Sequence, residues 1–124
     1  MKIQISHLKN YDFVTEIYTP IKTSGLREEH EFILPHETPE TKINSKETLK
    51  TVDLLIAEVS YPATGQGIEL WFANIYDKPI LCLYKKWFAI AGSLKYISND
   101  IREYSNSEEF LNIIQEKIEQ MIKN

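Results

Sequence analysis

Apolar positions along the chain switch between two spacings, and the switches predict the elements. Lys2 to Ser6 alternates polar and apolar residues and predicts a first strand. Phe13, Val14, Ile17, Tyr18 and Ile21 then recur at helical spacing, so Tyr11 to Ile21 predicts a helix. Asn10 or Asp12 stands where its cap belongs, and Pro20 is expected to limit it. Thr23-Ser24-Gly25 is a turn signal. Glu31 to Leu34 reads as a second strand closed by Pro35, followed by a loop from His36 to Lys42. Asn44-Ser45-Lys46-Glu47 has the spacing of a capping box and predicts a short helix that ends near Thr51.

From Asp53 the apolar runs become solid. Asp53 to Val59 and Pro79 to Tyr84 are near-continuous apolar segments, the pattern of strands covered on both faces in a parallel sheet. Between them, Gly67 to Tyr76 is expected to be helical, with Ile68, Leu70, Trp71, Phe72 and Ile75 available for packing. Ile101 to Tyr104 predicts a short last strand. Ser107 to Lys123 is the clearest helix, with Phe110, Ile114, Ile118, Met121 and Ile122 on one stripe and Glu108 and Glu109 in its first turn. Strands alternating with helices predict one domain over residues 1–124. Its expected class is α/β, a flavodoxin-like (Rossmann-like), doubly wound parallel sheet of about five strands in three layers.

Composition changes this picture little. The hydrophobic fraction of 43% and charged fraction of 26% are those of an ordinary globular domain. The net charge of −4, with no Lys/Arg run, argues against a nucleic-acid polymer or an anionic membrane surface as partner. No apolar stretch approaches the ~20 residues of a membrane span, and the N-terminus lacks a signal-peptide pattern. A cytoplasmic location is expected. The single cysteine, Cys82, lies inside an apolar run and reads as a small buried hydrophobe. His30 and His36 have no third ligand at metal spacing, so no metal site is expected.

Candidate chemistry concentrates after the third strand. Asp53-Leu54-Leu55-Ile56-Ala57-Glu58-Val59-Ser60-Tyr61-Pro62-Ala63-Thr64-Gly65-Gln66-Gly67-Ile68-Glu69-Leu70 reads as strand, tight glycine-bearing loop and helix start. That places Glu69 in a first helical turn, in the crevice where open α/β sheets bind ligands. A carboxylate there is expected to stay ionised and to act as nucleophile or base. Gly65 and Gly67 would let backbone amides approach a ligand. Glu58 and Pro62 border the same pocket, and His7, at the end of the first strand, is placed to contact phosphate or base.

The segment from Ala57-Glu58-Val59 through Ser60-Tyr61-Pro62 and Gly65-Gln66-Gly67-Ile68-Glu69-Leu70 resembles the nucleoside 2-deoxyribosyltransferase superfamily. The likeness runs from about Asp53 to Ser98. It is closer to the 2'-deoxynucleoside 5'-monophosphate N-glycosidase branch, because Ala63 stands where transferases tend to carry aspartate. The resemblance implies cleavage or transfer of the N-glycosidic bond of a 2'-deoxynucleoside or its 5'-monophosphate. Glu69 inherits the role of the nucleophile, which forms a covalent 2-deoxyribosyl-glutamate intermediate. An anion beside a cationic sugar stabilises that transition state and then bonds to it. Ser93 falls where the branch places a serine that reaches a homodimer partner's 5'-phosphate, and Ser6 and His7 would share the sugar-phosphate end. No metal or organic cofactor is implied.

Two positions depart from the family pattern. The first loop, Ser6-His7-Leu8-Lys9-Asn10, holds no glycine. Ser45, with Asn44 beside it, stands where a family aspartate helps protonate the leaving base, so Asn44 or Ser45 would act there by hydrogen bonding alone. These departures support a second reading, a module on the same fold that binds or senses a nucleotide without turning it over. Trp87 and Phe88, past the fourth strand, read as an apolar pair for a dimer interface or a pocket cover.

Overall fold

A computed structural model describes residues 1–123. Five strands form one parallel sheet in the order β2-β1-β3-β4-β5. They are β1 (Lys2–Ser6), β2 (Glu31–Ile33), β3 (Leu54–Glu58), β4 (Ile80–Lys85) and β5 (Asp100–Tyr104). This is the flavodoxin-like order expected from the alternation of elements. Between them lie α1 (Thr19–Thr23), α2 (Leu26–Glu29), α3 (Ser45–Thr48), α4 (Thr64–Ile75) and, after β5, α5 (Ser107–Lys123).

The period-two pattern of the strands divides the core. Ile3, Ile5, Leu54, Ile56, Leu81 and Leu83 face one way, toward Ile17, Ile21 and the Phe110, Ile114 and Ile118 stripe of α5. Leu55, Ala57, Ile80 and Cys82 face the other way, toward Leu70 and Ala73 of α4 and Leu94. Each fully buried aliphatic side chain contributes about 1.5–3 kcal/mol, so the two cores together explain the solid apolar runs of β3 and β4. Cys82 is buried, and that burial pushes its thiol up to about 11.

Four local expectations change. The first helix opens as a π-helical turn, Val14–Tyr18, and runs on through α1 to Thr23. Pro20 does not limit it, because Pro20 falls in the first turn of α1, where its missing N–H is not needed. Asp12 supplies the start, accepting the Thr15 N–H at 3.2 Å. The capping box at Asn44 does not form: Asn44 makes no side-chain cap, and Glu47 instead pairs with Lys50. The glycine loop is shorter than expected, since α4 begins at Thr64 rather than Gly67. Glu69 therefore stands in the second turn of α4, not the first. Finally, α2 and a 3-10 helix at Gly92–Tyr96 were not signalled by periodicity, both being too short to show one. Gly25 permits the turn into α2, with φ of 86° in the left-handed region.

β1 and β3 are neighbours, yet the chain leaves β1 on one face and β3 on the other. Their carboxyl ends, Ser6 and Glu58, therefore border the topological switch point, where such sheets bind ligands.

Candidate active site

The sequence of α4 aims Glu69. Gln66, Leu70 and Ala73 form the buried stripe of this helix, one turn apart. Glu69 lies beside that stripe and reaches over β1. There the polar members of the β1 alternation, Gln4 and Ser6, point toward α4 and are themselves buried.

Three donors converge on the Glu69 carboxylate. Ser6 Oγ donates to Oε1 at 3.0 Å. Ser45 Oγ, from the first turn of α3, donates to Oε2 at 2.8 Å, and Gln4 Nε2 donates to the same oxygen at 3.0 Å. Gln4 is fixed in turn by Thr48 Oγ1, which donates to its Oε1 at 2.8 Å. Burial raises the Glu69 pKa above the usual carboxylate range, while the bonds from Ser45, Ser6 and Gln4 pull it back. This corrects the expectation of a carboxylate kept ionised by the helix terminus. In the second turn the dipole has faded, and the carboxylate depends on side-chain donors instead.

Glu69 lines a cavity of about 660 Å³. Its walls are of three kinds. Pro35, Pro39, Ile43, Ile68 and Phe72 make an apolar side, Thr41, Asn44 and Ser45 supply neutral polar groups, and Lys9, His36, Lys42 and Lys46 supply nitrogen groups. A protein of net charge −4 thus gathers three lysines around one carboxylate. Burial lowers the pKa of His36, and neighbouring Lys9 lowers it further, so its ring is neutral at pH 7.

The sequence-derived candidates separate into four places. Ser6 and Ser45 bond Glu69, and Asn44 and Gly65 line its cavity. His7 is buried behind them with both ring nitrogens engaged: Nδ1 lies 2.7 Å from the Leu8 carbonyl, and Nε2 lies 2.7 Å from the Tyr18 hydroxyl. That hydroxyl also accepts the His36 N–H at 3.0 Å. Glu58 sits on the opposite face of the sheet. Its carboxylate accepts the Ser60 N–H at 2.6 Å, the Ser60 hydroxyl at 3.1 Å and the Tyr104 hydroxyl.

Pro62, Gly67 and Ser93 line a different cavity of about 440 Å³. Trp71 and Tyr96, 58% and 78% exposed, stand at its walls. Trp87 is 90% exposed and holds φ of 76°, a strained conformation for a bulky side chain. Tyr61 packs on Tyr11 and Phe88, and its hydroxyl accepts from Lys85 at 2.9 Å, so it stands away from Glu69.

Sequence reasoning missed Gln4 and Gln66. Gln66 carried a signal, since a glutamine on an otherwise apolar buried stripe has to be hydrogen bonded, whereas Gln4 sat at a polar position of the β1 alternation and read as solvent-facing. Gln66 Nε2 donates to the Glu58 carbonyl at 2.6 Å and the Ser6 carbonyl at 3.2 Å, tying α4 to both strand ends. The cavity lysines were missed because Lys9, Lys42 and Lys46 are spread over two loops and a short helix that only the fold brings together.

No family model matches the chain, and no curated protein matches it in sequence. Among solved structures, the fold is similar to that of the CMP N-glycosidase BcmB of Clostridium botulinum. The two share a TM-score of 0.64 and 19% identity, over 93% of this chain and 99% of that one. The likeness establishes the shared α/β fold over nearly the full described length.

Proposed function

We propose that the protein cleaves or transfers the N-glycosidic bond of a 2'-deoxynucleoside or its 5'-monophosphate, with Glu69 as nucleophile. The observation that carries this reading is the Glu69 carboxylate, held by Gln4, Ser6 and Ser45 on the wall of a 660 Å³ cavity at the switch point. BcmB is a CMP N-glycosidase, and that activity on the same fold supports the reading.

In this mechanism the carboxylate faces the anomeric carbon. As the C1'–N bond stretches, positive charge grows on the sugar and the carboxylate stabilises it at short range in a partly water-free site. It then bonds to C1', and water or an acceptor base breaks the ester. Ser6, Ser45 and Gln4 hold the carboxylate in one orientation, which is what positioning contributes to a near-attack geometry. Lys9, Lys42 and Lys46 suit a 5'-phosphate. His7, with its nitrogens committed, acts as a strut beneath the site rather than as a ligand.

A homodimer belongs to the same reading. The apolar cavity beside Trp71 and Tyr96 has the composition of an interface core, and burying it against a second copy would place Ser93 near the partner's site. Transfer and hydrolysis are distinguished by adding a free acceptor base.

The experiment is incubation of the protein with deoxynucleosides, their monophosphates and CMP, with chromatography for free base and mass spectrometry for a sugar ester on Glu69. Base release that persists undiminished in Glu69→Ala ends the nucleophile assignment. A second reading, nucleotide binding without turnover, is favoured by the cationic wall, which suits a phosphate whether or not chemistry follows. Calorimetric binding with no base released decides for it.

A further inference from the structure

The cavity's proton donors are unequal to its bond-breaking task. When a neutral nucleobase leaves C1', the electron pair of the broken bond makes it an anion, and a nearby acid has to protonate it. The groups around Glu69 are Gln4, Ser6 and Ser45, whose hydroxyl and amide hydrogens are already donated to Glu69 and do not transfer at neutral pH. His36 on the wall is held neutral by burial and by Lys9. His7 is buried and spent on Leu8 and Tyr18. The ammonium groups of Lys9, Lys42 and Lys46 are exposed point charges suited to phosphate.

Glu69 itself is the nucleophile, held in place by three hydrogen bonds, and cannot also serve as the acid. A site with a nucleophile and no proton donor for the departing base requires a leaving group that departs unaided.

Resting on the N-glycosidase reading above, we propose that the substrate is a nucleotide whose base already carries a positive charge conjugated to the glycosidic nitrogen, as in a pyridinium or N7-alkylated purine nucleotide. In such a substrate the C1'–N electron pair flows onto the ring nitrogen and cancels its charge. The base leaves neutral and takes up no proton. Glu69 gains the bond to C1'; water then attacks that carbon, the carboxylate is restored, and one proton passes to solvent. The two halves of the cavity fit the two ends of this zwitterion. Phe72, Pro35 and Ile68 accept a flat ring, and Lys9, Lys42 and Lys46 accept phosphate.

The test compares matched pairs on the full chain: N7-methyl-GMP against GMP, and nicotinamide mononucleotide against CMP and dCMP, by release of free base. The expected result is a kcat/KM at least about 10²-fold higher for the cationic member of each pair, the lower end of what a general acid contributes. Neutral bases released as fast as cationic ones overturn this proposal and leave the N-glycosidase reading standing. Release from none of these, nor from the 2'-deoxynucleosides and their monophosphates, overturns both. As a second arm, Ser45→Asp sets a carboxyl beside Glu69, and the repulsion keeps one of the pair protonated. It is expected to raise GMP and CMP cleavage by about 10²-fold and to narrow the gap between pair members. An unnarrowed gap in a folded variant counts against the proposal.

Discussion

Two carboxylates stand at the carboxyl edge of the same sheet, on opposite faces. Glu58 ends β3, is 2% exposed and is closed in by Ser60 and Tyr104. Glu69 comes from α4, is held by just as many donors, and opens on a cavity. Both have the burial and the hydrogen bonds of a functional acid. Only one has space on its far side for a reacting atom. Burial and saturation make a carboxylate stable in place, and the open side decides whether that stability serves folding or chemistry.

The sharpest way to break this contrast is to neutralise each carboxylate in turn. Glu69→Gln is isosteric and removes the nucleophile, so kcat for base release should fall on the order of 10³-fold or more, with little change in the unfolding midpoint. The pH dependence of stability should change too. A raised folded pKa means that the folded protein binds the Glu69 proton more readily than the unfolded chain does. The stabilisation is therefore full below the ordinary carboxylate pKa and is lost as pH rises through the raised value. Glu69→Gln should flatten that slope, as followed by urea titration across pH.

At the other carboxylate the expected loss is in stability. Tyr104→Phe deletes one of the groups that satisfy buried Glu58 and should cost about 1.5–3 kcal/mol in denaturant unfolding, with kcat within about twofold of wild type. A loss of kcat at unchanged stability would mean that Glu58 communicates with the site, most directly through Gln66, which bonds its carbonyl.

The contrast also shows what was legible in the sequence. The solid runs at Leu54–Val59 and Ile80–Tyr84 displayed the doubly wound sheet, because strands covered on both faces leave no polar alternation. Glu69 was marked by the glycines around it. Its true position was hidden: Gly65 read as part of the loop and Gly67 as the helix start, whereas both lie inside α4, where an added Cβ would meet nothing within 4 Å. Glu58 looked like a pocket residue because strand periodicity gives the face only once the register is known. In β3 it shares the parity of Leu54 and Ile56, the face of the other core. Ser93 was expected to reach a partner's phosphate, and on one protomer it lines a cavity separate from that of Glu69.

A milder perturbation adjusts Glu69 without removing it. Ser45→Ala deletes the donor at 2.8 Å, one of the bonds holding the carboxylate pKa down. The acid limb of the kcat/KM profile, which reports ionisation of Glu69 in the free enzyme, should move to higher pH. At neutral pH the rate should fall about tenfold, the equivalent of roughly 1.4 kcal/mol. Thr48→Val, which frees Gln4 Oε1, should give a weaker change in the same direction.

The smallest expected effect concerns the separated cavities. Ser93 is exposed on the 3-10 helix and lines the apolar cavity rather than that of Glu69. If a second copy covers Trp71 and Tyr96, the Ser93 hydroxyl enters the partner's site and adds one hydrogen bond to a phosphate. Ser93→Ala should then raise KM for a monophosphate about threefold to tenfold, one neutral hydrogen bond's worth, while KM for the unphosphorylated nucleoside stays fixed. Trp71→Glu puts a charge into the apolar patch, should yield monomers by sedimentation, and should reproduce the same selective rise in KM. Monomers that keep the wild-type KM for the monophosphate would assign phosphate binding to Lys9, Lys42 and Lys46 alone, and would make the Glu69 cavity complete within one chain.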